Sequence, residues 1–147
     1  MASLPRIVVD TNVLISALLA ASSVPGQAMT KAEDTGQLLA SAATLAEIDE
    51  VLRRPRFARF LSIGTRLEFL KRYRAAVRLV LIPSPIRACR DERDDKFLEV
   101  AVHGQADIIV SGDADLLELD PFQGVRILTP RGYIGHIAQP ASERADR

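Results

Sequence analysis

Short aliphatic and β-branched runs alternate with helix-spaced apolar positions along this chain. Ile7-Val8-Val9 is a continuous apolar run ending at Asp10, the pattern of a strand buried on both faces with a polar residue at its carboxyl end. Val13-Leu14-Ile15 and Leu18-Leu19 follow with helical spacing, up to the turn signal Pro25-Gly26. Leu38–Ser41 predicts a second strand. Thr44 and Glu47, three apart, form a capping-box signature for a helix through Val51-Leu52 that stops before Pro55. Leu67, Leu70, Tyr73 and Val77 mark one face of an amphipathic helix, and Leu79–Ile82, closed by Pro83, is the clearest strand in the sequence. Phe97-Leu98 and Ala101-Val102 mark another helix, entered through the acidic segment Asp91–Asp95. Ile108–Val110 is a fourth strand, followed at once by Ser111-Gly112-Asp113, and Val125–Leu128 is a fifth. Thr129-Pro130 is an N-cap and first-turn pair for a last short helix.

Strands alternating with helices predict an α/β fold, a parallel sheet of about five strands covered on both faces. No repeat, low-complexity tract or linker divides the chain, so a single domain is expected over residues 1–138. A polar tail follows over 139–147, expected to fray.

Composition narrows the chemistry. The 147 residues include one Cys and two His, which excludes a disulfide framework and a Cys/His zinc cage. The N-terminus imitates a signal peptide, but Asp10 and Asn12 stand where a signal wants neither, and no apolar run is long enough to span a bilayer. A cytoplasmic protein without membrane attachment is expected.

Charge changes the picture more. The totals cancel, 19 basic against 19 acidic residues. Between Arg53 and Arg78, however, nine basic residues face one acid, a net of +8, which leaves ten basic and eighteen acidic residues, net −8, elsewhere. Such a run is either a solvated helical face or a surface that contacts phosphates.

The acids fall at informative places. Ligands of open parallel sheets gather beyond the carboxyl ends of the strands. Asp10 ends the first strand, Asp113 follows the fourth by two residues, and Glu47 lies near the start of the helix after the second. Asp94 and Asp95 enter the helix that leads into the fourth strand. Each has a plainer structural explanation. Glu47 suits the third helical position of a Thr44 capping box, Asp91 and Asp94 suit a helix N-terminus, and Asp113 and Asp115 suit a turn after Ser111-Gly112. Asp10 is the hardest to explain in this way, because a carboxylate ending a buried run needs a partner or a metal. Converging carboxylates repel one another unless a cation is bound, and hard oxygen donors favour Mg²⁺ or Mn²⁺. Such a site supports metal-assisted phosphodiester hydrolysis and needs no Ser, Cys or His nucleophile.

Taken in order, these segments resemble the PIN-domain nucleases, and most closely the toxin components of toxin–antitoxin pairs (VapC-like). The matching pieces are Val8–Leu14 with its Asp10-Thr11-Asn12, Glu47 leading to Val51–Phe57, Cys89–Leu98, Ala106–Leu117 with its Ser111-Gly112-Asp113-Ala114-Asp115, and Ile127–Pro130. Asp-Thr-Asn alone is weak; the ordered series is specific. The resemblance implies a three-layer α/β/α sandwich, Mg²⁺- or Mn²⁺-dependent cleavage of RNA, a small antitoxin as partner, and homodimers. It implies Asp10, Glu47, Asp94 and Asp113 as the catalytic acids, with Asp10, Asp94 and Asp113 on the metal and Glu47 orienting or deprotonating the attacking water. Asp95 is the alternative to Asp94, or caps its helix. Asp115 becomes an accessory acid, while Thr11, Asn12 and Ser111 take supporting hydrogen-bonding places. Arg53, Arg54, Arg56 and Arg59 become the candidate RNA contacts, a part they share with a possible antitoxin surface.

Two other functions fit some of the same residues. A haloacid-dehalogenase-like phosphatase would use Asp10 as nucleophile, but Asn12 stands where that pattern wants a second Asp. A PIN-like fold kept only as a binding module is the other, against which all four acidic stations are filled.

Overall fold

In a computed structural model, which describes residues 3–137, five strands form one sheet. They are β1 (Arg6–Val9), β2 (Gln37–Ala40), β3 (Arg78–Leu79), β4 (Ile108–Val110) and β5 (Arg126–Leu128). Every pairing is parallel and the order is β3-β2-β1-β4-β5. Side chains leave the sheet alternately on its two faces. Ile7, Val9, Leu38, Ile108 and Val110 enter one core, with α1 (Thr11–Leu19), α2 (Val24–Thr35), α3 (Ala42–Leu52), α5 (Ile63–Ala76) and α8 (Pro130–Ile134). Val8, Leu39, Ile109 and Ile127 enter the other, with α6 (Asp95–His103) and α7 (Ala114–Leu117). The result is the expected three-layer sandwich. Two cores explain why the strand runs are continuously apolar rather than alternating, and each large aliphatic side chain buried in them contributes roughly 1.5–3 kcal/mol.

Several local expectations need correction. The run Leu79–Ile82 pairs only through Arg78–Leu79, followed by one bond from Val80 N to Ala40 O at 2.8 Å. β3 lies at the sheet edge, so Leu79 and Leu81 point outward (56% and 82% exposed) while Val80 and Ile82 pack inward against the α6 core. Its apolar residues overstate the length of the strand because only one side has a neighbour.

Pro25-Gly26 does not end the first helix. α1 stops at Leu19, and the pair forms the first turn of α2, where Ser23 Oγ accepts from Gly26 N at 3.2 Å. Glycine is required there, since a Cβ would stand 2.1 Å from the Ala21 carbonyl oxygen. α2 escapes a reading of hydrophobic spacing because its buried residues are Gly26, Ala28, Met29 and Ala32, mostly small.

The capping box also moves. Ser41, not Thr44, caps α3, and the two exchange bonds: Thr44 N donates to Ser41 Oγ at 3.2 Å and Ser41 N to Thr44 Oγ1 at 2.9 Å. Glu47 therefore lies beyond the cap and is released from it. On α5, Leu70 and Tyr73 are buried as expected and Leu67 is exposed. The short helix α4 (Pro55–Ala58) links α3 to α5. Thr129 does cap α8, accepting from Gly132 N at 3.0 Å. The tail expected at 139–147 lies outside the described residues. No single helix among the described residues is long and apolar enough to cross a membrane.

After β1 the chain winds to β2 and β3 on one side, then α6 returns it to β4 on the other. β1 and β4 are therefore the point where strand order reverses, and a crevice opens beyond their carboxyl ends.

Candidate active site

Asp10 and Ser111 stand at that crevice, held there by the sheet's own hydrogen bonds. Asp10 N donates to Val110 O at 3.0 Å and Ser111 N to Leu128 O at 2.9 Å, which extends the ladder one residue past β1 and β4. Asp10 is buried and doubly engaged: Oδ1 accepts from Val13 N at 2.9 Å, capping α1, and Oδ2 accepts from the Ser111 hydroxyl. Burial pushes its carboxyl up from the ordinary value and Asp113 adds to this, while the bonds from Ser111 and Val13 pull it back. The Ser111 hydroxyl accepts in turn from Asp113 N at 2.9 Å, and Asp113 Oδ1 accepts from Asp115 N at 2.8 Å. A relay of short bonds thus sets Asp10, Ser111, Asp113 and Asp115 along one edge.

Asp94 arrives from the other side of the crevice, at the end of a 3₁₀ turn (Glu92–Asp94) that leads into α6. It stands at the cap position of α6 but makes no capping bond; Asp91 caps the turn instead, through Arg93 N at 3.0 Å. Asp94 Oδ2 is buried with no hydrogen-bond partner. Burial and the facing Asp113 carboxyl push Asp94 up to about 7. One carboxylate oxygen from each of Asp94, Asp113 and Asp115 lies within 4.8 Å of the others.

Glu47 joins from α3. Its Oε2 accepts from Thr11 Oγ1 at 2.6 Å and its Oε1 from Lys96 Nζ at 3.1 Å. Lys96 joins the group by this bond, and the only signal for it along the chain is its place directly after Asp94-Asp95. With Arg93, which feels Asp91, Asp94 and Glu47, it supplies counter-charge to an acidic group that looked uncompensated along the chain.

Other candidates lie apart from this group. Asp95 is buried, and its Oδ1 accepts from Ala88 N at 3.0 Å and Cys89 N at 2.8 Å, so it pins the preceding loop instead of capping α6. The Cys89 thiol beside it is pushed up to about 12 by burial and the surrounding carboxylates. Asn12 is exposed on α1. Arg53 and Arg54 pair with Asp49 and Glu50 at 3.2 and 3.6 Å, while Arg56 and Arg59 lie over the rings of Phe57 and Phe60. The cation paired with the acidic group is Lys96, through Glu47, with Arg93 held nearby on Asp91.

The donor set suits a hard divalent cation. It consists of carboxylate oxygens close enough to share one ion, and one of them, Asp94 Oδ2, is buried without any other partner.

Residues 6–115, which hold all of these acids, match the PIN domain family profile. The chain belongs to the PIN-domain family. This PIN domain is 33% identical over 116 residues to the uncharacterized protein MJ1680 of Methanocaldococcus jannaschii, covering 78% of this chain and 74% of that protein. Its fold is similar to that of PAE2754 from Pyrobaculum aerophilum, at 15% identity and a TM-score of 0.59 over 97% of this chain and 91% of the other. It is also similar to VapBC2 from Rickettsia felis, a structure bound to a DNA fragment from its promoter, at 9% identity and a TM-score of 0.57 over 83% and 96%. PIN domains are generally nucleases, and the phosphatase and binding-module alternatives are not favoured.

Proposed function

We propose that this PIN domain is a Mg²⁺- or Mn²⁺-dependent ribonuclease acting in the cytoplasm as the toxin of a toxin–antitoxin pair. The observation that carries the catalytic part is the convergence of Asp94, Asp113 and Asp115 with the unpartnered Asp94 Oδ2. Likeness to VapBC2 and the VapC-like series of motifs support the antitoxin partner, and the homodimer belongs to the same reading.

In this reading Asp94 and Asp113 hold the cation, with Asp115 and Asp10 beside them. The ion, when bound, offsets charge on the phosphate and makes bound water more acidic. Asp10 anchors the edge through Ser111, which also holds the backbone of Asp113. Glu47 orients the attacking water and takes its proton as the new bond to phosphorus forms and the bond to the leaving oxygen breaks. Thr11 and Lys96 fix the Glu47 carboxylate for that task.

The test is cleavage of a labelled RNA by the full chain with and without chelator. Mg²⁺ or Mn²⁺ restores cleavage, and Asp113→Asn abolishes it. Glu47→Gln lowers the rate by about 100- to 10,000-fold, as expected for loss of a general base. Cleavage that persists in chelator, or in Asp113→Asn, contradicts the proposal.

A further inference from the structure

Of the ion pairs among the described residues, Lys96–Glu47 alone is shielded on both sides. Its side chains are 22% and 23% exposed, whereas every other pair has a partner at least 47% exposed. Exposed pairs form at little cost and for little gain, but a half-buried pair gives up hydration of both charges and needs good geometry to recover it. Here both carboxylate oxygens are engaged: Glu47 Oε2 accepts from Thr11 Oγ1 at 2.6 Å and Oε1 from Lys96 Nζ at 3.1 Å.

Lys96 is also fixed from its own helix. It stands in the first turn of α6 between Asp95, whose carboxylate holds Ala88 N and Cys89 N, and Phe97, which is buried in the core. Two residues back is Asp94, which belongs with Asp113 and Asp115 to the group of carboxylate oxygens within 4.8 Å of one another. Glu47 is not part of that group. The crevice therefore holds one close set of carboxylate oxygens and, beside it, a carboxylate already matched to an ammonium.

We propose that the Lys96 ammonium takes the place of a second cation at Glu47, so that the site accepts one divalent ion where a two-ion centre would accept two. The inference rests on the metal-dependent ribonuclease reading and deepens it. Two-ion phosphodiester hydrolysis places its cations roughly 3.5–4 Å apart and needs carboxylates for both. Glu47, reaching the crevice from α3, is the acid that would serve the second. Mg²⁺ sits about 2.1 Å from its oxygen donors. A fixed ammonium 3.1 Å from Glu47 Oε1 occupies that side of the carboxylate and repels a further positive charge. Lysine suits the exchange, since its ammonium is a compact charge with three donors, and the bond to Glu47 takes one of them.

The test counts Mn²⁺ bound per full-length chain at pH 7.5, from the EPR signal of the free ion, with a melting curve for each metal-free variant to establish folding. Wild type is expected to bind one ion. Lys96→Met, which keeps the apolar stem and removes the charge, rises to two, and Lys96→Arg stays at one. Lys96→Met/Glu47→Gln returns to one, which places the added ion at Glu47 and not elsewhere on the surface. Lys96→Gln gives the same readout should Lys96→Met fail to fold. Two ions on wild type, or one ion on a folded, charge-free variant that retains Glu47, overturns the inference and leaves the metal-dependent reading standing. No Mn²⁺ bound by wild type overturns both.

Discussion

The acidic crevice and the basic stretch Arg53–Arg78 carry charge in opposite ways. At the crevice, carboxylates are drawn together and partly buried, and Asp94 Oδ2 is left with no partner. In the basic stretch, Arg66 alone among the described arginines leaves a buried nitrogen, Nε, without a partner, while its guanidinium donates to Leu52 O at 3.2 Å. Arg53, Arg54, Arg56 and Arg59 stand in solvent, paired one helical turn back with Asp49 and Glu50 or laid over neighbouring rings. Exposed pairs of that kind contribute little, whereas an unpaired buried charge is costly enough to need a reason. A count along the chain ranks the basic stretch first. Environment ranks the eight acids' worth of excess charge elsewhere above it, because carboxylates from separate elements converge beyond β1 and β4.

That difference is open to attack from both sides. The largest effect is expected at Asp94 in chelator. Its carboxyl is raised from 3.8 to about 7, so the folded state holds a proton that the unfolded chain has released. This stabilisation is fully present below about pH 4 and is lost as pH rises toward and through 7. Metal-free wild type therefore loses melting temperature over that window relative to Asp94→Asn, and at pH 8 the variant is the more stable of the two. Parallel pH–melting curves for the two proteins would contradict this account of Asp94.

Next comes Asp95, whose buried carboxylate serves two backbone N–H groups. Asp95→Ala is expected to destabilise by about 1–3 kcal/mol for each donor left unsatisfied, measured by urea unfolding. A loss below 1 kcal/mol in total would mean that the loop is not pinned there. Smallest is the basic stretch. Arg53→Ala/Arg54→Ala is expected to change stability by less than about 1 kcal/mol, since both pairs are exposed and spaced i,i+4. A larger loss in the same unfolding assay would erase the contrast between the two regions.

How much of this was legible from residues alone follows the same physics. Ile7–Val9, Leu38–Ala40 and Ile108–Val110 were readable because strands buried on both faces are uniformly apolar. The edge at Leu79–Ile82 was not, because apolar composition does not record how many neighbours a strand has. α2 was hidden by its small buried residues, and the start of α3 by two overlapping cap signals, Ser41 with Thr44 and Thr44 with Glu47. The topology brings Asp10, Asp94 and Asp113 to one crevice from positions far apart in the chain, as the order of motifs suggested. What spacing did not disclose was partnership. Asp94 and Asp95 are adjacent in sequence, yet one faces Asp113 and the other serves a loop. Asp115 sits within the tight oxygen cluster while both Asp10 oxygens accept hydrogen bonds, and Lys96 holds Glu47 across two helices.

The most direct measurement of the central claim is a calorimetric titration of metal-free full-length protein with Mn²⁺ and Mg²⁺ at pH 7.5. Binding by the wild type with a rise in melting temperature, and loss of both in Asp94→Asn and Asp113→Asn, is the predicted result. No heat and no thermal shift in the wild type, or binding undiminished in both variants, would contradict it.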